Sequence, residues 1–162
     1  MAKNIALSTI GVKISYAVEA SAGTRPTAGY KRIHGLYSTP DFNAAPSTAD
    51  VTSFDNEEYT SKIALLKDIP DNIEFGARFG QTFYDEWTAL CTAYDSAKEA
   101  NKEVWFCIDI PDFTKSIYFT GRPIKLGIPA MEANSGIDGS AYVAPTGEPV
   151  FEADPTSYAD EN

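Results

Sequence analysis

Acid–base or nucleophilic chemistry would have to centre on His34, because the chain has one histidine. A catalytic serine needs an imidazole beside it, and no G-x-S-x-G elbow accompanies His34. His34 follows Lys31 and Arg32 in a short extended stretch, which suits a structural or surface role. Carboxylates are plentiful: Glu57 adjoins Glu58, and Asp109 lies near Asp112. A glycosidase pair is defined by separation in space, so sequence spacing alone identifies neither pair as one. Asp41, Asp50 and Asp55 offer oxygens for calcium in a loop, but the EF-hand spacing with its glycine is missing. The phosphate-cradling Walker loop and the dinucleotide G-x-G-x-x-G are also missing. Cys91 and Cys107 lack metal-ligand spacing, and a free buried thiol packs as a small hydrophobe. Surface aromatics could form a sugar platform, yet most of the 2 Trp, 9 Tyr and 9 Phe fit inward-facing positions. The expectation is a protein that is not an enzyme and has no catalytic residue, cofactor or metal site.

Charge narrows the partners. The net charge is −10 and the isoelectric point about 4.4. Such a surface repels nucleic-acid phosphates, which weighs against a DNA-gripping role but allows a surface that DNA slides past. A plain solubility feature is the commoner explanation for such an acidic excess. With 162 residues, 43% of them hydrophobic, the chain can bury one real core. No stretch approaches the roughly 20 apolar residues that span a bilayer, so no membrane anchor is expected. The opening MAKNIALSTIGVKISY shows no signal-peptide core or cleavage site, which predicts synthesis and retention in the cytosol until a later event.

The elements that must position these residues centre on 71–122. Ile73, Phe75, Ala77 and Phe79 alternate with Asn72, Glu74, Gly76 and Arg78, the period of a half-buried strand. A helix is predicted over 82–100, with Phe83, Trp87, Leu90, Cys91, Tyr94 and Ala97 on one face. Thr82 is placed to cap its first turn with Asp85 three residues on, and Asp85 and Glu86 suit the positive end of the dipole. Lys98 and Lys102 suit the negative end, and Asn101 the left-handed residue that stops a helix. Residues 104–108, VWFCI, form an apolar run expected of a strand buried on both faces. In a last strand, Ile117 and Phe119 alternate with Tyr118 and Thr120. The helix is expected to be a lid on a β core, because it could not stand alone in water.

Upstream, Val12, Ile14, Tyr16 and Val18 alternate with Lys13, Ser15 and Ala17 in a first strand. Residues 20–29 are small and polar and read as a loop; residues 30–36 read as a second strand. Residues 37–71 are the least regular part, with Pro40, Pro46 and Pro70, a candidate strand at 50–54, and an apolar cluster of Ile63, Leu65, Leu66 and Ile69. Compact domains rarely carry so long an irregular segment without a use. It is either a surface loop folded back on its own core or a protruding arm ordered by a neighbouring subunit. Downstream, 137–143 is a candidate strand weakened by Gly139, and the acidic tail 153–162 reads as mobile. The layout is an arm over 1–10, one β domain over 11–152, and the tail; the fold class is mainly β, a sandwich or small barrel with one flanking helix.

Three stretches together resemble the major tail tube proteins of long-tailed, siphovirus-like bacteriophages and prophages. They are SYAVEASAGTRPTAGY at 15–30, PDFNAAPSTADVTSFDN at 40–56, and the helix-to-strand region ending in IPAMEANSGIDGSAYVAPTGEPVFE at 128–152. The likeness lies in order, spacing and length, not in a chemical signature. It implies a β-sandwich or small barrel with one flanking helix, six copies to a ring, and rings stacked into a hollow tube. DNA and a tape-measure protein would pass through the lumen without specific binding, and tail-tip and terminator proteins would be further partners. The product would be made in the host bacterial cytoplasm and reside in the virion tail. Carried over, contacts within and between rings would fall on 1–10, roughly 40–70, and 145–162. The fold is shared with inner tubes of contractile tails and of type VI secretion systems, so fold alone does not choose the machine.

The resemblance gives residues a place. Ile63, Leu65, Leu66 and Ile69 become candidate subunit-interface residues. Six copies at −10 put roughly −60 on a ring, and Glu74, Glu103 and Asp109 are candidates to face the lumen and repel phosphates. A secreted carbohydrate-binding β-sandwich is the rival from another class, and the missing export signal counts against it. A small hydrolase on a β scaffold is opposed by the single histidine.

Overall fold

A computed structural model describes residues 6–43, 45–55, 58–67 and 69–159. In chain order its elements are β1 (Lys13–Val18), β2 (Lys31–Arg32), β3 (Leu36–Ser38), β4 (Thr48–Asp50), β5 (Lys62–Ala64), β6 (Ile73–Arg78), α1 (Gln81–Glu99), β7 (Val104–Asp109), β8 (Lys115–Pro123), β9 (Asp138–Pro145) and β10 (Val150–Ala153). Among the described residues the protein is mainly β with one helix, as the periodicities predict. Among the described residues, eight strands form one curled sheet in the order β2-β1-β7-β8-β9-β6-β3, with β10 also on β8. All named strand pairings are antiparallel.

The curl starts in β8. One of its edges pairs residues 117–120 with β7. Its other edge is divided: residues 115–118 pair with β10 and 121–123 with β9. Gly121 sits where the partner changes. A Cβ there would lie 2.5 Å from Val143 Cγ1 and 3.2 Å from the Ala144 carbonyl, so only glycine lets the two strands close up.

The concave face holds the main core. Ile14 and Tyr16 of β1, Ile73, Phe75 and Ala77 of β6, and Val104, Phe106 and Ile108 of β7 meet Phe83, Trp87, Leu90 and Ala97 of α1. Phe106 and Phe119 stack at 5.1 Å and 9°. The run at 104–108 is two-sided as expected: Cys107 is buried on the convex face with Ala17, Tyr30 and Tyr118, and Trp105 packs beside it. Both cysteines are free and buried. Trp87 is 1% exposed, and its indole N–H donates to the Ile124 carbonyl at 2.9 Å.

Several local expectations are corrected. The helix begins one residue earlier than predicted, with extended Gly80 at the N-cap and no side-chain cap. Thr82 is therefore inside the first turn, and no acidic residue lies there. Asp85 instead accepts from Gln81 Nε2 at 2.8 Å, one helical turn away. Glu86 is taken by His34: its carboxylate accepts from the His34 backbone N–H at 2.6 Å and meets Nδ1 at 2.7 Å. The C-terminal end is as predicted. Asn101 is left-handed at φ 55, and Asn101 and Lys102 N–H groups bond the Lys98 and Ala97 carbonyls, a Schellman closure.

The strand predicted over 30–36 is split, because Gly35 at φ +87 turns the chain between β2 and β3. The strand placed at 50–54 lies at β4 instead. The Asp50 carboxylate accepts from the Thr52 N–H at 2.9 Å and its hydroxyl at 2.5 Å, and this local turn ends the strand. Residues 153–159, read as part of a mobile tail, are fastened down: β10 ends at Ala153, and residues 154–159 hydrogen-bond across the convex face. Residues 1–5 of the arm and 160–162 of the tail lie outside the described residues.

Trp87→Ala removes a buried indole and orphans the Ile124 carbonyl. It is expected to cost roughly 3–5 kcal/mol, seen as a thermal midpoint lowered by about 2–4 °C per kcal/mol. A melt within a degree or two of wild type would refute this account of the core.

Candidate functional site

The segment between β3 and β6 reaches the core at Phe42, whose ring lies 5.1 Å from that of Phe119, and from residue 45 to 70 its large apolar side chains are exposed. Among the described residues β4 and β5 pair only with each other, forming a hairpin separate from the main sheet. Register puts Ala49 opposite Ile63, with Thr48 opposite Ala64 and Asp50 opposite Lys62. Bonds from Leu65 N to Ser47 O and from Val51 N to Ser61 O extend the ladder at both ends. Side chains alternate across a strand, so Ala49, Val51, Ile63 and Leu65 share one face with Ser47 and Ser61, while Thr48, Asp50 and Lys62 share the other with Ala64 and Leu66. The hairpin is amphipathic. Its apolar face is nevertheless uncovered, with Val51, Ile63 and Leu65 each 47–49% exposed. Leu66 and Phe54 stand fully out in solvent, and Tyr59 and Ile69 are also exposed. An isolated two-stranded hairpin is marginal in water, and this one spends its apolar side chains on no interior. The four proposed interface residues, Ile63, Leu65, Leu66 and Ile69, thus all fall on one exposed arm.

The three lumen candidates do not form a cluster. All belong to the sheet face away from α1, since their strand neighbours Phe75, Val104 and Ile108 point into the main core. Glu74 is exposed on β6 and accepts from the Ser140 hydroxyl. Glu103 is exposed just before β7, where its side chain accepts from Thr146 Oγ1 at 3.2 Å. Asp109, at the far end of β7, lies roughly 20 Å along the strand from Glu103. It is also covered, accepting from the Tyr158 hydroxyl at 2.7 Å.

That cover is the segment 150–159. It crosses the convex face of β1, β7 and β8 like a strap. Ser116 donates to Asp154 at 2.7 Å, the Tyr118 hydroxyl to the Ala153 carbonyl at 2.6 Å, and Ala159 N to the Tyr30 carbonyl at 2.8 Å. Lys13 Nζ sits 4.8 Å above the Tyr158 ring, and the Arg25 guanidinium 4.1 Å from the Tyr118 ring. Burial under the strap pushes the Cys107 thiol up to about 11 and Tyr30 up to about 12. Both stay neutral and inert at physiological pH, which suits packing and not nucleophilic chemistry.

Glu19 was invisible to pattern reasoning. It is 3% exposed at the end of β1. One oxygen accepts from Trp105 Nε1 at 2.9 Å; the other accepts from the Gly23 and Glu103 N–H groups at 3.0 and 3.1 Å. Burial alone would raise its pKa, but these hydrogen bonds, with help from Lys102, outweigh it and hold the carboxyl below its ordinary value. No period marks such a residue in one sequence.

Asp41 and Asp50 each accept from a backbone N–H two residues on, and among the described residues no group of three acidic, histidine or cysteine side chains could hold a metal ion. Glu57, of the pair with Glu58, lies outside the described residues. Asp112 occupies a left-handed turn between β7 and β8. Among the described residues no helix is long and apolar enough to cross a membrane. No protein-family model matches the sequence, and no curated protein matches it.

A lowered folded pKa stabilises above the ordinary carboxylate value and is lost as pH falls through the folded one. Glu19→Gln should therefore lower the melting temperature at pH 7, and the gap from wild type should shrink below the ordinary value of 4.5. An equal gap at pH 7 and pH 3 would contradict the role given to this carboxylate. Tyr158→Phe should leave the melt nearly unchanged and speed limited proteolysis after residue 150; unchanged cleavage would mean the Asp109 bond does not hold the strap.

Proposed function

We propose that this chain is a structural subunit of a phage tail tube, six copies forming a ring and rings stacking around a lumen that conducts DNA. The observation that carries the reading is the amphipathic hairpin β4–β5, whose apolar face is left open by its own chain. A domain with a well-filled core gains nothing by extending such an arm into water; it gains when a neighbouring subunit covers the arm. The sequence likeness at 15–30, 40–56 and 128–152 supplies the kind of assembly. A net charge of −10 per copy suits a conduit for DNA, because acids on the bore repel phosphates and prevent adhesion. Glu74 and Glu103 are the exposed members of the proposed lumenal set, each accepting from one hydroxyl, whereas Asp109 is covered by the strap.

Negative-stain microscopy of concentrated protein is expected to show rings or tubes; monodisperse monomers that bind glycans would instead favour a carbohydrate-binding module. Leu66→Asp, at an 89% exposed position, should abolish assembly and leave the monomer's melt within about 0.5 kcal/mol of wild type. Replacing Glu74 and Glu103 with Lys should leave tubes intact and slow DNA release from particles. Unchanged ejection kinetics would sink the lumenal assignment.

A further inference from the structure

The strap at 150–159 is fastened by a different kind of contact from the rest of the fold. Among the described residues it puts no side chain into the main core. Val150 and Phe151 are exposed, and Phe151 meets Phe113, also exposed, edge to face at 6.1 Å. What holds the strap is hydrogen bonding. β10 pairs with 115–118, the Ser116 and Tyr118 hydroxyls donate to Asp154 and to the Ala153 carbonyl, and Thr156 N donates to the Thr27 carbonyl at 2.9 Å. Such bonds exchange with bonds to water, so each adds little net stability. Side-chain anchoring converges on Tyr158, the strap residue packed against the convex cluster: Lys13 lies over its ring, its hydroxyl donates to Asp109, and its backbone bridges Tyr30. Just upstream the chain is pinned. Thr146 N donates to the Thr120 carbonyl at 2.9 Å, and the two threonine hydroxyls meet at 2.8 Å. Between that pin and β10 lie Gly147, Glu148 and Pro149, a short pivot.

We propose that residues 150–159 are a latch. It opens as a unit about 147–149 while the concave core stays folded, and when closed it keeps the 115–118 edge of β8 from pairing with the same edge of a second copy. Segments held by few buried apolar contacts open locally, at less cost than global unfolding. The opening is bounded, because β9 takes the same edge of β8 from residue 121. Release therefore bares one short window of backbone beside Tyr118 and Cys107. A bared edge is a template for another strand. The window is identical in every copy, and antiparallel pairing about a two-fold axis lets two windows satisfy each other and stops at a dimer. The two free thiols separate local from global opening. Cys91 belongs to the concave core and Cys107 to the convex cluster, so unfolding exposes both, whereas release of the strap uncovers the side of Cys107.

The test uses the full-length chain with Tyr158→Ala, which removes the main fastening. Thiols are labelled with a maleimide under native conditions and mapped by mass spectrometry. Labelling of Cys107 should rise about tenfold or more over wild type, with Cys91 unchanged. At a dilution where wild type sediments as a monomer, the variant should sediment as a dimer. Lys115 and Ala153 are exposed cross-strand partners, so Lys115→Cys with Ala153→Cys, once oxidised, closes the latch covalently. Added to Tyr158→Ala, this lock should return both labelling and sedimentation to wild type, and reduction should undo the rescue. Placed in a chain that keeps Tyr158, it should slow Cys107 labelling below that of the unlocked chain; equal rates overturn the latch, even if Tyr158→Ala does not fold. Cys91 and Cys107 accelerating together would show that the strap opens only with the whole fold, which also overturns it. Fast Cys107 labelling in a chain that stays monomeric would show that the strap guards nothing. None of these outcomes bears on the tube reading, whose failure shows as wild type that builds no rings or tubes at high concentration.

Discussion

The divided edge of β8 is the constraint on which the other elements depend. A nine-residue strand serves three neighbours, and the change of partner at Gly121 bends the sheet. The bend makes the concave face deep enough to take a helix whose buried residues are mostly aromatic and aliphatic. It also opens the convex edge at 115–118 for β10, and so brings the strap that follows over Tyr118 and Cys107. A side chain at 121 would oppose both outcomes at once, by wedging β9 away from β8.

The two faces of the sheet are held by different physics. The concave side relies on apolar area and stacked rings, with one polar anchor from Trp87. On the convex side the Ser116 and Tyr118 hydroxyls are paired within a largely apolar cluster, the buried Ser15 hydroxyl is left without a hydrogen-bond partner, and Glu19 gathers the loop after β1 and the start of β7 onto a single carboxylate. Buried polar groups are costly unless each finds a partner, so the convex side specifies geometry more sharply than it adds stability. Against both stands the hairpin, where good apolar side chains are left without either kind of partner.

What could be read from the sequence follows from range. The face of α1, the alternation in β6 and the two-sided burial of β7 depend on residues a few positions apart, and all were legible. So was the helix stop at Asn101, since its left-handed preference is intrinsic. The N-cap was not: Thr82 offered a better capping side chain than Gly80, but the tie of Glu86 to His34 draws on residues 52 apart. β5 and β10 are only three and four residues long, too short to show a period, and exist because distant strands supply their ladders. The arm itself was visible as an apolar cluster in an irregular stretch, at Ile63, Leu65, Leu66 and Ile69. That these residues sit on a hairpin was not, because β4 and β5 meet across eleven intervening residues.

The strap also sets a timetable. Gly29 and Tyr30 receive their partners from Ser157 and Ala159, contacts that span about 128 residues. Closing so long a loop comes late, after the local hairpins and the helix have formed, and contacts of this range slow folding. Until then Tyr118, Cys107 and the 115–118 edge of β8 lie bare, a strand edge open to the wrong chain. The vulnerable interval for this protein is therefore the wait for residues 150–159 to arrive. Crowded synthesis of many copies would put the greatest burden of misassociation there, on the convex face, and not on the hairpin.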